Sequence, residues 1–494
     1  MTAPSGLYGV THPATGSDVV PAGFRLLPDS STRLFTSGAA VLVGGSPVRV
    51  LRLTPAGTRQ VAAWFRGEPV ADSIAARKLA RRLLDAGVAH PDPEPGDGPS
   101  ARAVTVVIPV RDRYAQLARC LRGLRDAALW LGENAYQVIV VDDCSADPTA
   151  IEKIATETGA RVIRRRVNGG PGAARNTGLA AADTDFVAFL DSDCVPRPGW
   201  LDGLLPHFAD QAVGAVAPRI VPCEQGTGWL ARYEGASSTL DMGARPSIVR
   251  PGARVAYVPG AALIVRRAAA GEGFAPGMVV GEDVDFVWRL AAAGWRVRYE
   301  PAAVMGHDHR VRLRAWFSRR ADYGTSAAAL EELHPGVVRP LYASWWTVGA
   351  WAALLSGRPV TAAAVTGTAT TLLARRLSRV TGESWPLALR LAGGGTLAAG
   401  RPLGSALSRA WWPVAIPAAV AVPKLRLPVA ALMLAPPLLD WADRRPPLDP
   451  VRYTAARLLD DAAYSIGVWQ GCLRRRTIRP LIPAMGKTRD RVSP

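Results

Sequence analysis

A mostly parallel α/β sheet is the fold that the middle of this sequence predicts. Three observations predict it. Residues 104–110 (VTVVIPV), 138–141 and 186–190 are β-branched or aromatic runs without apolar–polar alternation, the pattern of strands buried on both faces. Helical spacing lies between them: Leu117, Cys120, Leu121, Leu124, Ala128 and Leu131 mark one helix, and residues 148–158 another. Acidic residues stand where strands end. Strand–helix alternation at this spacing builds a parallel sheet with helices on its faces, and such sheets bind ligands beyond the carboxyl ends of their strands.

The element order justifies itself from residue 104 onward. The first strand leads into the helix of residues 114–131. The second strand, 138–141, ends in Asp142 and Asp143, and one carboxylate there would also serve as a strand-to-helix cap. A third strand is expected at 161–164. Residues 168–178 (NGGPGAARNTG) then combine a glycine turn with small residues that open a helix. The N–H groups around Asn168 and Gly169 can approach a nucleotide, and Arg175 adds a charge suited to phosphate. No GK[ST] follows, so the segment is no Walker loop. It is also misplaced for a dinucleotide fingerprint. ATPase and dehydrogenase readings are disfavoured.

The strand at 186–190 ends in Asp191-Ser192-Asp193. Carboxylates at i and i+2 share one face of an extended chain. Two hard oxygen ligands at an open strand end suit magnesium or manganese. Farther on, Glu282, Asp283 and Asp285 open a helix that runs to Ala293 and stops at Gly294. Acids in a first helical turn often serve only the helix dipole. A strand at 295–299 precedes His307 and His309, which are candidate metal ligands or surface residues.

These motifs, VVIPV, VVDDCS, NGGPGAARNTG, FLDSD and GEDVDFVWRL, resemble family 2 glycosyltransferases of the GT-A, Rossmann-like fold in order and spacing, over roughly residues 103–325. The resemblance implies a nucleotide-sugar donor and a divalent metal, Mg or Mn. It implies Asp283 as catalytic base, and Asp191, Asp193 and His307 (with His309 as rival) at the metal. The expected donor site comprises Asp112, Asp142, Asp143, Asn168, Gly169, Arg175, Asp191 and Glu282, with Asp142 or Asp143 at the base or ribose. The QxxRW motif of processive synthases is absent, which disfavours long-polymer synthesis. Arg319 or Arg320, in the segment that stands in its place, would clamp the diphosphate. One base without a second carboxylate nucleophile implies inversion at the anomeric carbon.

Residues 1–90 form a separate module in this reading. A hairpin is expected over 39–53, Thr54-Pro55 opens one helix, and residues 71–86 form a second that stops at Gly87. Residues 91–102 read as a Pro/Gly/Asp-rich linker. Two helices and a hairpin suggest a small winged helix. It resembles the PqqD-like peptide-recognition modules of modified-peptide pathways, and DNA binding is the plainer alternative. Joined to a glycosyltransferase domain at 103–330, it implies transfer of hexose, glucose from UDP-glucose, onto a small peptide-derived redox cofactor or its precursor, as a short β-linked chain. A lipid-linked or cell-wall sugar transferase and a non-enzymatic binding protein are the alternatives.

Composition bounds the partners. The chain has 494 residues and a net charge of +18, from 59 Lys and Arg against 41 Asp and Glu. That charge suits nucleotide-sugars and anionic lipid. No RNA or zinc-finger signature points to nucleic acid. Cys120, Cys144, Cys194, Cys223 and Cys472 show no CxxC spacing, so reduced thiols are expected. No charged-then-apolar leader pattern opens the sequence, and a cytosolic catalytic domain is expected. Residues 331–494 are apolar and helical, with runs at 341–355, 360–374, 410–422 and 427–439, each shorter than the roughly 20 residues of a membrane span. Helices docked on the inner membrane face, true spans (410–439 as a hairpin) and a soluble helical cover for the site are the three arrangements left open.

Overall fold

The computed structural model describes residues 11–13, 18–35, 40–129, 131, 135–224, 226–309, 311–378 and 384–486. Ala39 of the expected hairpin and Arg310 beside the histidines lie outside these. The chain divides into two compact units. One takes the chain up to Leu34 together with Leu42–Glu224 and Ser238–His309; the other takes Phe35–Val41, Gln225–Ser237 and everything from Arg310 on.

The first unit begins with short strands β1 (Leu26–Pro28), β2 (Arg33–Phe35), β3 (Val41–Gly44) and β4 (Arg49–Arg52). Helices α1 (Pro55–Trp64) and α2 (Ile74–Asp85) follow, then β5 (Ala89–Pro91). α1 starts where Thr54 is expected to open it, with Thr54 accepting from the Gly57 N–H at 3.1 Å; α2 starts later than the expected 71, capped by Ser73, which accepts from the Ala76 N–H at 3.2 Å. β2, β3 and β4 form a three-stranded sheet, and β5 pairs antiparallel with β1.

The central sheet comes next. Its first part is β6 (Val104–Val110), α3 (Tyr114–Leu129), β7 (Gln137–Asp142), α4 (Pro148–Thr156), β8 (Arg161–Arg164), α5 (Gly170–Ala181) and β9 (Phe186–Leu190). Strands β8, β7, β6 and β9 lie side by side and parallel, as the alternation predicts. Then follow β10 (Cys194–Pro196), β11 (Val213–Pro222), α6 (Trp229–Ser237), β12 (Ser247–Val249), β13 (Ala262–Arg266), α7 (Arg267–Ala270), α8 (Glu282–Ala292) and β14 (Arg296–His307). The order is β10-β14-β11-β13-β9-β6-β7-β8, with β12 beside β14. β11 and β14 are parallel; β13 and β10 run against their neighbours.

Every residue of β6 and β9 is buried. Val104, Val106, Ile108 and Val110 share one core with Leu117, Leu121 and Leu124 of α3. On the other face α5 packs so close that a Cβ on Gly178 would meet Val107 at 2.2 Å. Only glycine fits there, and α5 is thereby held against β6, beside β7.

The N-terminal elements are joined to this sheet within the same unit. Both guanidinium ends of Arg81 in α2 donate to Asp210 at 2.7 Å, and both side chains are buried. Arg296 of β14 meets Asp85 at 3.0 Å, and Arg254 meets Asp29 at 3.2 Å. Most of the expected linker is exposed, but Gly98, at φ +81°, lies where a Cβ would stand 2.6 Å from the Leu205 carbonyl oxygen. Sequence composition signals a break here, but pairings across more than a hundred residues leave no local signal.

The second unit contains α6, α9 (Leu313–Leu333) and a 25-residue helix, Pro450–Arg474. Tyr233, Trp316, Leu448 and Tyr453 share its core. Further helices run over Trp345–Leu355, Pro359–Leu377, Trp412–Ala421 and Arg426–Arg444. The apolar run expected at 427–439 extends past Asp440, which pairs with Arg444 at 2.8 Å one turn on. Pro423–Arg444 is therefore long and apolar enough to cross a membrane by length and composition, and almost none of it is buried.

Candidate active site

The carboxyl ends of β6, β7 and β9 bring the predicted residues together in loops with unusual backbone. Asp112 and Cys144 adopt left-handed conformations, φ 54° and 66°, directly after β6 and β7. Non-glycine residues rarely do so, and such strain concentrates at functional loops. The Asp112 carboxylate accepts from the Ala146 N–H at 2.7 Å, which joins the two loops.

Asp142 and Asp143 are both buried, and both shape loops. Asp142 accepts from the Ser145 N–H at 2.9 Å and from Arg164 at 2.7 Å. Asp143 accepts from Arg165 and from the N–H groups of Gly169 and Gly170, at 3.1 and 2.8 Å. Asn168 is exposed and its Oδ1 also accepts from Gly170, at 3.1 Å. Asp143 thus holds the glycine turn in place at the start of α5.

Arg175 stands at the centre. It is buried; its Nη2 donates to Asp191 at 2.7 Å and its Nη1 to Glu282 at 2.9 Å. The sequence offered it as a phosphate ligand, and the structure instead uses both its ends on carboxylates. Burial and the adjacent Asp283 raise Glu282 to about 7, against the pull of Arg175. Asp283 is half-buried at the mouth of α8, after Gly281 at φ +83°. Its Oδ2 accepts from the Gly260 N–H and its Oδ1 from the Val284 N–H, each at 2.8 Å. Each oxygen keeps a second lone pair.

Asp193 sits apart from this hub. Its Oδ1 lies 3.4 Å from Nε2 of His307, and its Oδ2 pairs with Arg113. The strand pairing of β10 with β14 fixes this meeting, since Cys194 stands opposite His307 and the Asp308 N–H donates to the Asp193 carbonyl at 3.0 Å. Burial would raise Asp193, but His307 and Arg113 hold it well below the usual carboxylate range. Cys194 shares the cluster but is buried; its thiol donates to Ala261 at 3.3 Å, and burial pushes its titration far upward. Carboxylate oxygen and imidazole nitrogen remain, a donor set that fits a divalent cation. His307, rather than His309, reaches Asp193; His309 lies behind it, Nδ1 to Nδ1 at 3.3 Å. Asp191 is engaged with Arg175 and is not part of that cluster.

One expectation is corrected. Arg320 is buried in the second unit, donating to Glu234 and lying 3.1 Å from Asp460, so it is not available to a diphosphate. Arg319, on the same helix, stacks on Tyr323 at 4.7 Å. Two site residues went unnoticed in the sequence: Arg113 and the Gly260 N–H. A lone arginine after a strand and a lone glycine carry no spacing signal. All five cysteines are free.

The family described as Glycosyl transferase family 2 matches residues 105–272. The pre-mycofactocin glycosyltransferase of Mycobacterium tuberculosis is 42% identical over 476 residues, 94% of this chain and 98% of that protein. The succinoglycan biosynthesis protein ExoW of Rhizobium meliloti is 45% identical over 103 residues, 20% of this chain and 31% of its own. Among solved structures, the mannosyltransferase PcManGT from Pyrobaculum calidifontis, in complex with GDP-Man and Mn2+, is 21% identical with a TM-score of 0.38, covering 72% of this chain and 90% of that one. This chain is a glycosyltransferase and belongs to family 2, sharing nearly its whole length with the pre-mycofactocin enzyme of M. tuberculosis.

Proposed function

We propose that this enzyme moves a hexose, glucose from UDP-glucose, onto a small peptide-derived redox cofactor, mycofactocin or its precursor, with inversion into a short β-linked chain. The acceptor reading is carried by one observation, the 42% identity over 94% of the chain to a protein named for pre-mycofactocin. The chemistry is supported by the site.

Asp283 serves as the base. Its carboxylate is held at both oxygens by backbone N–H groups and retains lone pairs for the acceptor hydroxyl proton. The neighbouring carboxylate, Glu282, is buried against Arg175, which disqualifies it as a nucleophile. A single in-line displacement follows, and hence inversion. Asp193 and His307 would hold a divalent cation, Mg or Mn, with Asp191 near the ribose. The cation, when bound, offsets the charge developing on the departing diphosphate. Arg175 keeps Asp191, Glu282 and Asp283 in fixed relation.

The helices of the second unit dock the enzyme on the cytoplasmic membrane face. Trp345, Trp346, Trp385, Leu397, Val420 and Leu427 are exposed, and Arg375, Arg376, Lys424 and Arg426 lie near them in sequence. Tryptophan and basic residues are the side chains that favour such an interface.

Mass spectrometry tests the reading. Full-length enzyme, UDP-glucose, Mn2+ and the peptide-derived acceptor should give products heavier by whole hexose units. Hexose added only to a polyprenyl phosphate would favour the lipid-linked alternative.

A further inference from the structure

We propose that Arg113 is a diphosphate-binding residue kept on Asp193 until the cation takes that carboxylate. The proposal rests on the metal reading of Asp193 given above. Three observations carry it. Arg113 pairs with Asp193 alone among the described residues, on Oδ2, while Oδ1 faces His307 at 3.4 Å. The oxygen it covers belongs to the carboxylate that the cation needs. Its side chain is 34% exposed, whereas that of Arg175 is 3% exposed and fixed at both ends by Asp191 and Glu282. Arg113 therefore has freedom to move that Arg175 lacks.

The third observation is position. Arg113 follows the left-handed Asp112 and precedes α3, so it projects from the end of β6, in the row of strand ends that also carries Asp191. A guanidinium released there, beside a diphosphate, can bind two of its oxygens at once. In the absence of donor and cation the same guanidinium neutralises Asp193. Sharing one carboxylate links the two events: cation binding frees the arginine, and the arginine then holds the anion that arrives with the cation. With Arg175 committed to carboxylates at both ends, Arg113 supplies a cationic side chain for the diphosphate.

Two titrations test this on the full-length protein. The first is Mn2+ alone, followed by the electron paramagnetic resonance signal of free Mn2+; the second is UDP at saturating Mn2+. Arg113→Gln should bind Mn2+ about fivefold more tightly, because a competitor for Asp193 is gone. It should bind UDP about tenfold or more weakly, because a charge-assisted pair is lost. Arg113→Lys keeps the charge without the fork, and should weaken UDP while leaving Mn2+ affinity near that of wild type. If the glutamine variant fails a thermal melt, the lysine variant decides by its UDP affinity. Unchanged or weaker Mn2+ binding by Arg113→Gln, or unchanged UDP binding by a folded Arg113 variant, overturns the proposal. Asp193→Ala is the separate control. Mn2+ binding by that variant equal to wild type would overturn the metal reading itself, and the proposal with it.

Discussion

Nη1 of Arg175 lies 2.9 Å from Oε1 of Glu282, and this bond joins α5 to α8, the helix that carries Asp283. The other end of the guanidinium holds Asp191 at 2.7 Å. One cation therefore sets the spacing between the end of β9 and the start of α8. Arg175→Lys retains the charge but cannot reach two carboxylates in fork geometry. Transfer should fall about a hundredfold or more, as expected when reacting groups lose their alignment. Steady-state kinetics with a thermal melt alongside will check it; full activity would mean that Arg175 is only a packing residue.

The pair Arg81–Asp210 predicts how the N-terminal elements depend on the sheet. Removing one partner leaves the other buried and unpaired, so Arg81→Ala or Asp210→Ala should each cost about 3–5 kcal/mol. The double variant should cost clearly less than the sum of the two. Additive losses in a denaturant-melt cycle would show that the two residues do not interact. Deleting residues 1–100 should likewise destabilise the catalytic unit, because Asp210 would be left without Arg81.

Acid sensitivity follows from the same junction. Burial would raise Asp29, but His90, Ser31 and Arg254 hold it well below its ordinary value. His90 is kept below 6.5 by burial, with Arg298 and Arg254 adding to the effect against Asp29. Both groups thus bind protons more readily in the unfolded chain. Their contribution to stability is present above about pH 6.5 and is lost as pH falls, first through His90 and then through Asp29. His90→Gln should flatten the upper part of that melting-temperature profile. A profile identical to wild type between pH 6.5 and 5 would remove His90 from the account.

The exposed apolar helices predict co-sedimentation with vesicles that contain anionic phosphatidylglycerol, weakened by salt and by Lys424→Glu with Arg426→Glu. Equal recovery in the supernatant with and without such vesicles would contradict membrane docking.

The sequence made the catalytic sheet legible because buried parallel strands have their own texture. VTVVIPV and FVAFL could hardly be anything else, and the acids at their ends were visible as a consequence. Asp193 and His307 were brought together only through the family resemblance, since the β10–β14 register that joins them spans more than a hundred residues and leaves no local signal. Arg320 was misplaced for a similar reason: its sequence neighbourhood gives no sign of Glu234 and Asp460, which bury it. The hairpin, two helices and caps of the N-terminal part were visible locally. Their ion pairs to the sheet were not, because a charge pattern does not announce its partner.

Asp283→Asn tests the central claim most directly. The amide keeps the size of the side chain but cannot take the acceptor proton. With UDP-glucose and Mn2+ saturating, hexose transfer should fall by about a thousandfold or more, while UDP binding stays within about twofold of wild type. Turnover at the wild-type rate by a folded Asp283→Asn enzyme would contradict the assignment of the base, and with it the mechanism.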